Sequence, residues 1–153
     1  MHKLRRRSPA VSESVDDLMR LWLLRLLVPL GGHRQFINQH GIQNEEVTAA
    51  IGLGEWLDPN SPDIDHNTAR AELRKVHLKA EHSLRNAMAP AALRANMARL
   101  AQLVGLSSID SRILEFAVLI RNERLLDDTA DFLGCLSSAK VAYALSVLLD
   151  LPE

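Results

Sequence analysis

The stretch LMRLWLLRLLV, residues 18–28, decides how this chain is read. At 100° per residue, Leu21, Leu24 and Val28 share one side of a helix, while Met19, Trp22, Leu23, Leu26 and Leu27 spread over much of the other. Arg20 and Arg25 split that surface instead of forming one wet face. A helix apolar nearly all round is buried in a larger assembly or sits at an interface. Trp22 and Arg25 are therefore candidate partner-binding residues, with burial in the core as the competing reading for both. Ser14 can cap the helix so that it begins at Val15, with Asp17 in its first turn. Pro29 disfavours helix at the residue before it and Gly31-Gly32 breaks it, so the helix should end near Val28. Residues 1–13 are left as a flexible basic arm.

A basic start ahead of an apolar run raises the question of a signal peptide. Asp16, Asp17, Arg20 and Arg25 interrupt the run, and no small-residue cleavage site follows it. The run is also too short, and too charged, to span a membrane. The single cysteine, Cys135, rules out an intrachain disulfide framework and fits a reducing cytoplasm. Between Leu133 and Leu136 it reads as a small buried apolar residue rather than a nucleophile.

A chain of 153 residues has room for one compact domain. Residues 14–153 are expected to form it, with 14–66 and 67–153 as sub-lobes sharing a core. Aromatic residues make up only 4%, while Leu and Ala abound, which favours helices packed through aliphatic side chains over a sheet. The net charge of −1 gives no global argument for nucleic acid or an anionic membrane. The charge is nevertheless in blocks. Residues 35–66 carry six acidic groups and no Lys or Arg, whereas 67–104 carry seven basic groups and two acidic ones. Such blocks suit packing between lobes, or between subunits of a homo-oligomer placed head to tail; a solvated surface accounts for them too.

Punctuation divides the rest into helices. A short one is expected over 34–39. Asn44 caps another over 45–51, stopped by Gly52. The segment GEWLDPNSPDIDHN, 54–67, is a loop, with Trp56 and Leu57 anchoring it; Trp56 is a third candidate for partner contact. A long helix over 68–88 carries Leu73, Val76, Ala80 and Leu84 on one face. Pro90 opens the next, 91–104, ended by Gly105. Ser107 or Ser108 caps 109–122, a shorter helix spans 125–133 with Gly134 as its stop, and Ser137 caps the last. No strand alternation stands out. The expected fold is all-α: an orthogonal bundle of seven or eight helices with a helix-turn-helix-like C-terminal half.

No constellation of catalytic residues is visible. Asp58, Asp63, Asp65 and His66 offer oxygen ligands in a loop, but the spacing matches no EF-hand, and capping of the next helix explains them. His77 and Glu81 stand four apart, next to His82, in HLKAEH, which is not the HExxH zinc motif; a His–Glu contact on an exposed helix is expected. Asp127, Asp128 and Asp131 suit a helix start. There is no phosphate loop, GxSxG or CxxC. An enzyme would need an unseen cluster around His77, Glu81 and Asp65. No cofactor and no metal is expected in this chain. A nucleic-acid surface could use Arg70, Arg74, Lys75 and Lys79. The helix-turn-helix outline itself is a poor reader of bases, because Lys140 is the only basic residue of its second helix.

The run LRANMARLAQLVGLSSIDSRILEFAVLIRNERLLDDTADFLGCLSSAKVAYALSVLLDLPE resembles the helical region preceding the ATPase module in a group of large bacterial AAA-family ATPases. The likeness rests on Asn96, Gly105-Leu106-Ser107, the apolar helix at 113–120, the acidic segment 127–133, Leu136-Ser137, the Ala/Leu-rich 141–149 and Leu151-Pro152. LRLLVPLGGHRQFI and VTAAIGLGEW are compatible with the same group. The resemblance implies a cytoplasmic, non-catalytic accessory domain that contacts a substrate protein, an adaptor, a neighbouring subunit or the parent's own ATPase module. ATP binding would belong to the parent alone. It also accounts for the ending: Leu-Pro-Glu reads as the opening of another helix, so the chain is expected to be a piece of something longer. The alternative is a helix-turn-helix-like nucleic-acid-binding domain.

Overall fold

The computed structural model describes residues 9–152, with side chains from residue 17 onward. Its first helix, α1 (Pro9–Leu27), starts ahead of the expected cap at Ser14. Proline suits a first helical position, since its missing N–H would have no partner there anyway. The flexible arm expected over 1–13 is thus helical from Pro9, and residues 1–8 lie outside the described part. Every residue from 21 to 27 is buried. The all-round apolar helix is covered not by another protein but by this chain, because α1 is the central element. Its walls are α2 (His33–Phe36), α4 (His66–Ser83), α7 (Arg124–Asp131) and α8 (Ser138–Leu149). Each buried leucine contributes roughly 1.5–3 kcal/mol of transfer free energy.

The turn after α1 is tight. Gly31 has φ +82°, and a Cβ at Gly32 would lie 2.8 Å from the Leu26 carbonyl oxygen. Only a glycine pair lets the chain double back onto the helix it has just left. The helix expected over 34–39 is a single turn, α2, running into a two-residue antiparallel pair, β1 (Ile37–Asn38) and β2 (Gly41–Ile42). Asn38 Oδ1 steadies this hairpin by accepting from the His40 N–H at 2.8 Å and from Gln43 Nε2 at 2.9 Å. So short a pair leaves no alternation to read.

Asn44 caps α3 (Glu45–Ala50) by accepting from the Val47 N–H, and Gly52 ends it at φ +87°. Arg20 of α1 lies over Gly52 so closely that a Cβ there would meet Nη2 at 2.6 Å. A 3₁₀ turn, Gly54–Leu57, follows, with Trp56 half-buried against the core. α4 begins two residues earlier than expected, capped by Asp65, and ends at Ser83. The stretch expected to continue it to Met88 is irregular and leads to Pro90.

α5 (Ala91–Val104) ends at Gly105, φ +73°, whose N–H and that of Leu106 both donate to the Ala101 carbonyl at 2.8 and 3.2 Å. Ser107 and Asp110 form a reciprocal capping box on α6 (Ser108–Asn122). Ser137 occupies the cap position of α8 without a side-chain hydrogen bond, so that helix is held by packing. The result is mostly α-helical, 68%, with eight α-helices among the described residues. One apolar cluster joins residues from both proposed sub-lobes: Leu24, Phe36 and Val47 with Leu73, Phe116 and Leu126. Trp22 meets Phe116 edge-on, centroids 5.1 Å apart at 80°. No described helix is long and apolar enough to cross a membrane.

Candidate functional site

Arg25 sits at the junction of α1, α4 and α8. Its Nε donates to Glu81 Oε1 at 2.7 Å and its Nη2 to Glu81 Oε2 at 2.9 Å, a bidentate pair. Its Nη1 donates to the Leu148 carbonyl at 2.6 Å. That carbonyl belongs to the last turn of α8, where backbone acceptors lack intrahelical partners and the dipole favours a cation. Glu81 also takes His77 Nε2 at 3.2 Å. The Arg25 hydrogen bonds hold the Glu81 carboxyl below its ordinary range, against the opposing effect of burial. The expected His–Glu contact therefore exists, but on a face turned inward, as part of a clamp across three helices.

A cleft of about 600 Å³ opens beside this clamp. Leu18, Leu21 and Trp22 of α1 contribute apolar lining, and Arg25 lines it as well. Around the opening stand Arg85, Arg94 and Arg112. Arg94 Nε donates to the Ala89 carbonyl at 3.0 Å, and Arg112 Nη2 donates to the Leu149 carbonyl. Arg85 faces Asp150 at 3.6 Å. Among the described residues, no carboxylate comes within 4.0 Å of the Arg94 or Arg112 guanidinium. Glu115 lines the same cleft. Burial pushes its carboxyl above its ordinary value, although Arg94 and Arg112 pull the other way.

On another face, a groove of about 480 Å³ runs between the α1–α2 turn and the α7–α8 turn. Phe132 and Leu133 line it, Arg34 and Lys140 bring positive charge, and Leu136 and Tyr143 stand exposed beside it. Tyr143 is 62% exposed. A further apolar surface lies at the tip of the α5–α6 hairpin, where Leu103 is 81% and Val104 63% exposed, with Ile109 close by in sequence.

The sequence-derived candidates fall in different places. Trp22, 6% exposed, and Arg25 are core residues; burial is the reading that holds for both. Both also line the cleft. Trp56 packs on the core from its 3₁₀ turn, away from both openings. Arg70, Arg74, Lys75 and Lys79 are all exposed on α4. The helical period places Arg70 and Arg74 on one side of its outer face and Lys75 and Lys79 on the other, with the 68%-exposed Leu78 between them. Lys75 also pairs with Glu72 at 3.6 Å. The four do not form one continuous cationic stripe.

Asp65 caps α4, accepting from the Asn67 and Thr68 N–H groups, and these bonds, Thr68 foremost, lower its carboxyl from the ordinary value. It lies sixteen residues from Glu81 along one helix, or about 24 Å. The enzyme constellation of His77, Glu81 and Asp65 is therefore not assembled. Among the described residues, no three His, Cys, Asp or Glu side chains converge as a metal site would require. Cys135, expected in the interior, is exposed in the turn before α8. Sequence reasoning missed the cleft arginines, because Arg94 and Arg112 come together only through the α5–α6 hairpin; the basic block 67–104 held Arg94, and Arg112 lies beyond it. Family models, curated proteins and solved structures contain no match to this chain.

Proposed function

We propose that the chain is a non-catalytic interaction module, the N-terminal accessory domain of a larger AAA-family ATPase, and that it binds a substrate protein, an adaptor or a neighbouring subunit. One observation carries the binding part of this reading. The groove by α8 combines exposed Tyr143 and Leu136 with the cations Arg34 and Lys140. Interface centres are rich in aromatic and arginine anchors set in apolar surroundings, and exposed apolar surface rimmed by charge marks interaction sites. The two cations favour a partner segment that is acidic as well as apolar.

The ATPase part rests on the likeness of residues 93–153. Gly105 and Ser107, which carry part of that likeness, serve here as helix stop and helix cap. The reading frame beyond Glu153 in the source DNA tests it. An open frame reaching a phosphate-loop motif is expected; a stop codon directly after Glu153 overturns the ATPase assignment. In the full-length protein, Tyr143→Ala with Lys140→Glu should abolish stimulation of ATP hydrolysis by the bound partner and leave the unstimulated rate unchanged. Unaltered stimulation would remove the groove from the reading.

A further inference from the structure

We propose that the cleft between α1, α5, α6 and the end of α8 is a second binding site, for a small ligand bearing a carboxylate or phosphate group held by Arg94 and Arg112. The argument goes beyond protein–protein contact and starts from how these arginines are committed. Each is fixed to a backbone carbonyl by one donor, Arg94 to Ala89 and Arg112 to Leu149. A guanidinium has five N–H donors in a planar fork. Anchoring one of them orients the fork and lowers the ordering cost that a ligand would otherwise carry. Among the described residues, the rest of each fork meets no carboxylate within 4.0 Å. Planar forks of this kind match carboxylate and phosphate oxygens two at a time.

The surroundings fit a small molecule. A volume of about 600 Å³ lies within the range of ligand pockets, and Leu18, Leu21 and Trp22 offer an apolar wall for the body of the ligand. The charges around the opening are Arg94 from α5, Arg112 and Glu115 from α6, Arg85 from the segment after α4, and Asp150 after α8. Arg25 from α1 is already neutralised by Glu81. Arg85 and Asp150 largely cancel in an exposed pair. Glu115 is the one group that opposes an entering anion directly. Burial already favours its neutral form, so ligand entry should drive proton uptake there, and affinity should rise as pH falls.

Trp22 makes the site observable. In the full chain carrying Trp56→Phe, Trp22 is the sole tryptophan. Titration of its fluorescence at low ionic strength with inorganic phosphate, and separately with citrate, should saturate with at least one of them; the tighter anion identifies the head group. Arg94→Gln should weaken binding by tenfold or more, the ratio expected for losing charge-assisted hydrogen bonds. Arg99→Gln, on α5 but outside the cleft, should leave it unchanged. Glu115→Gln should tighten binding at neutral pH and flatten its pH dependence. Arg112 also holds the end of α8, so Arg94→Gln, checked for native circular dichroism, is the deciding variant. No saturation with either anion, or equal affinity in Arg94→Gln and the parent, would overturn the proposal.

Discussion

Arg25 on α1 and Arg94 on α5 line the same cleft, yet their guanidinium groups are in opposite states. Arg25 is buried, and its three nitrogens reach two carboxylate oxygens and a helix-end carbonyl. Arg94 is exposed, and its one bond within the described structure is to a carbonyl. Burying a charge is tolerable only when it is paired and hydrogen-bonded, so Arg25 is committed to Glu81 and the Leu148 carbonyl. Arg94 stays wet, gives up little solvation, and retains donors. Within one cleft, the degree of saturation separates an arginine that holds the fold from one that can bind.

The comparison is broken most severely at Arg25. Arg25→Ala leaves Glu81 without its cation and the Leu148 carbonyl without its donor, and should cost roughly 3–5 kcal/mol. Urea unfolding monitored by circular dichroism measures the loss. Arg94→Ala in the same assay should change stability by under about 1 kcal/mol, because an exposed side chain with one backbone bond contributes little. Equal losses would mean that the two arginines have the same role.

How much of this contrast was legible in the sequence depends on range. Local signals read well. Asn44 and Ser107 cap helices, Gly52 and Gly105 stop them in the left-handed conformation, and Pro90 precedes α5, whereas the helix expected to run to Gly134 ends at Asp131. Each acts within a few residues of itself. Ser14 misled because its spacing to Asp17 imitates a cap, while Pro9 was equally able to start the helix. The reach of α4 was overestimated because Leu84 and Met88 continue its apolar spacing after the helix has ended. The Arg25–Glu81 pair spans 56 residues and the Arg25–Leu148 bond 123, and no local pattern encodes either. The two arginines in LMRLWLLRLLV were visible; what one of them would meet was not. For the same reason an all-round apolar helix suggested an outside partner, when the rest of the chain was its partner.

The two acids next to these arginines sharpen the contrast through pH, with opposite signs. Arg25 holds Glu81 below its ordinary pKa, so its contribution is present at neutral pH. It is lost as pH falls below the unfolded value and through the depressed folded one. Glu115 is raised by burial, so the native state binds its proton more readily than the unfolded chain does. Its ionisation therefore opposes folding above the folded pKa, and that penalty disappears as pH falls below the unfolded one. Glu81→Gln should reduce stability at neutral pH and remove part of the acid-side decline. Glu115→Gln should slightly raise stability at neutral pH and steepen that decline. Denaturation midpoints across the acidic range would register both; slopes of the same sign would refute the assignment of one acid to each state.

The smallest effect belongs at the tip of the α5–α6 hairpin. Leu103, the most exposed of the large apolar residues, takes almost no part in the core despite its chemistry. It lies off the line of Leu93, Met97 and Leu100 on α5, as the helical period requires. Leu103→Ser should therefore alter stability by no more than about 0.5 kcal/mol, the usual range for a surface position. Leu24→Ser, with the same change of side chain inside α1, should abolish cooperative unfolding or cost several kcal/mol, roughly 3 or more. If Leu103→Ser approached that loss in the same urea titration, the tip would be packed in solution, and an apolar partner, such as a second copy of the chain, would have to be covering it.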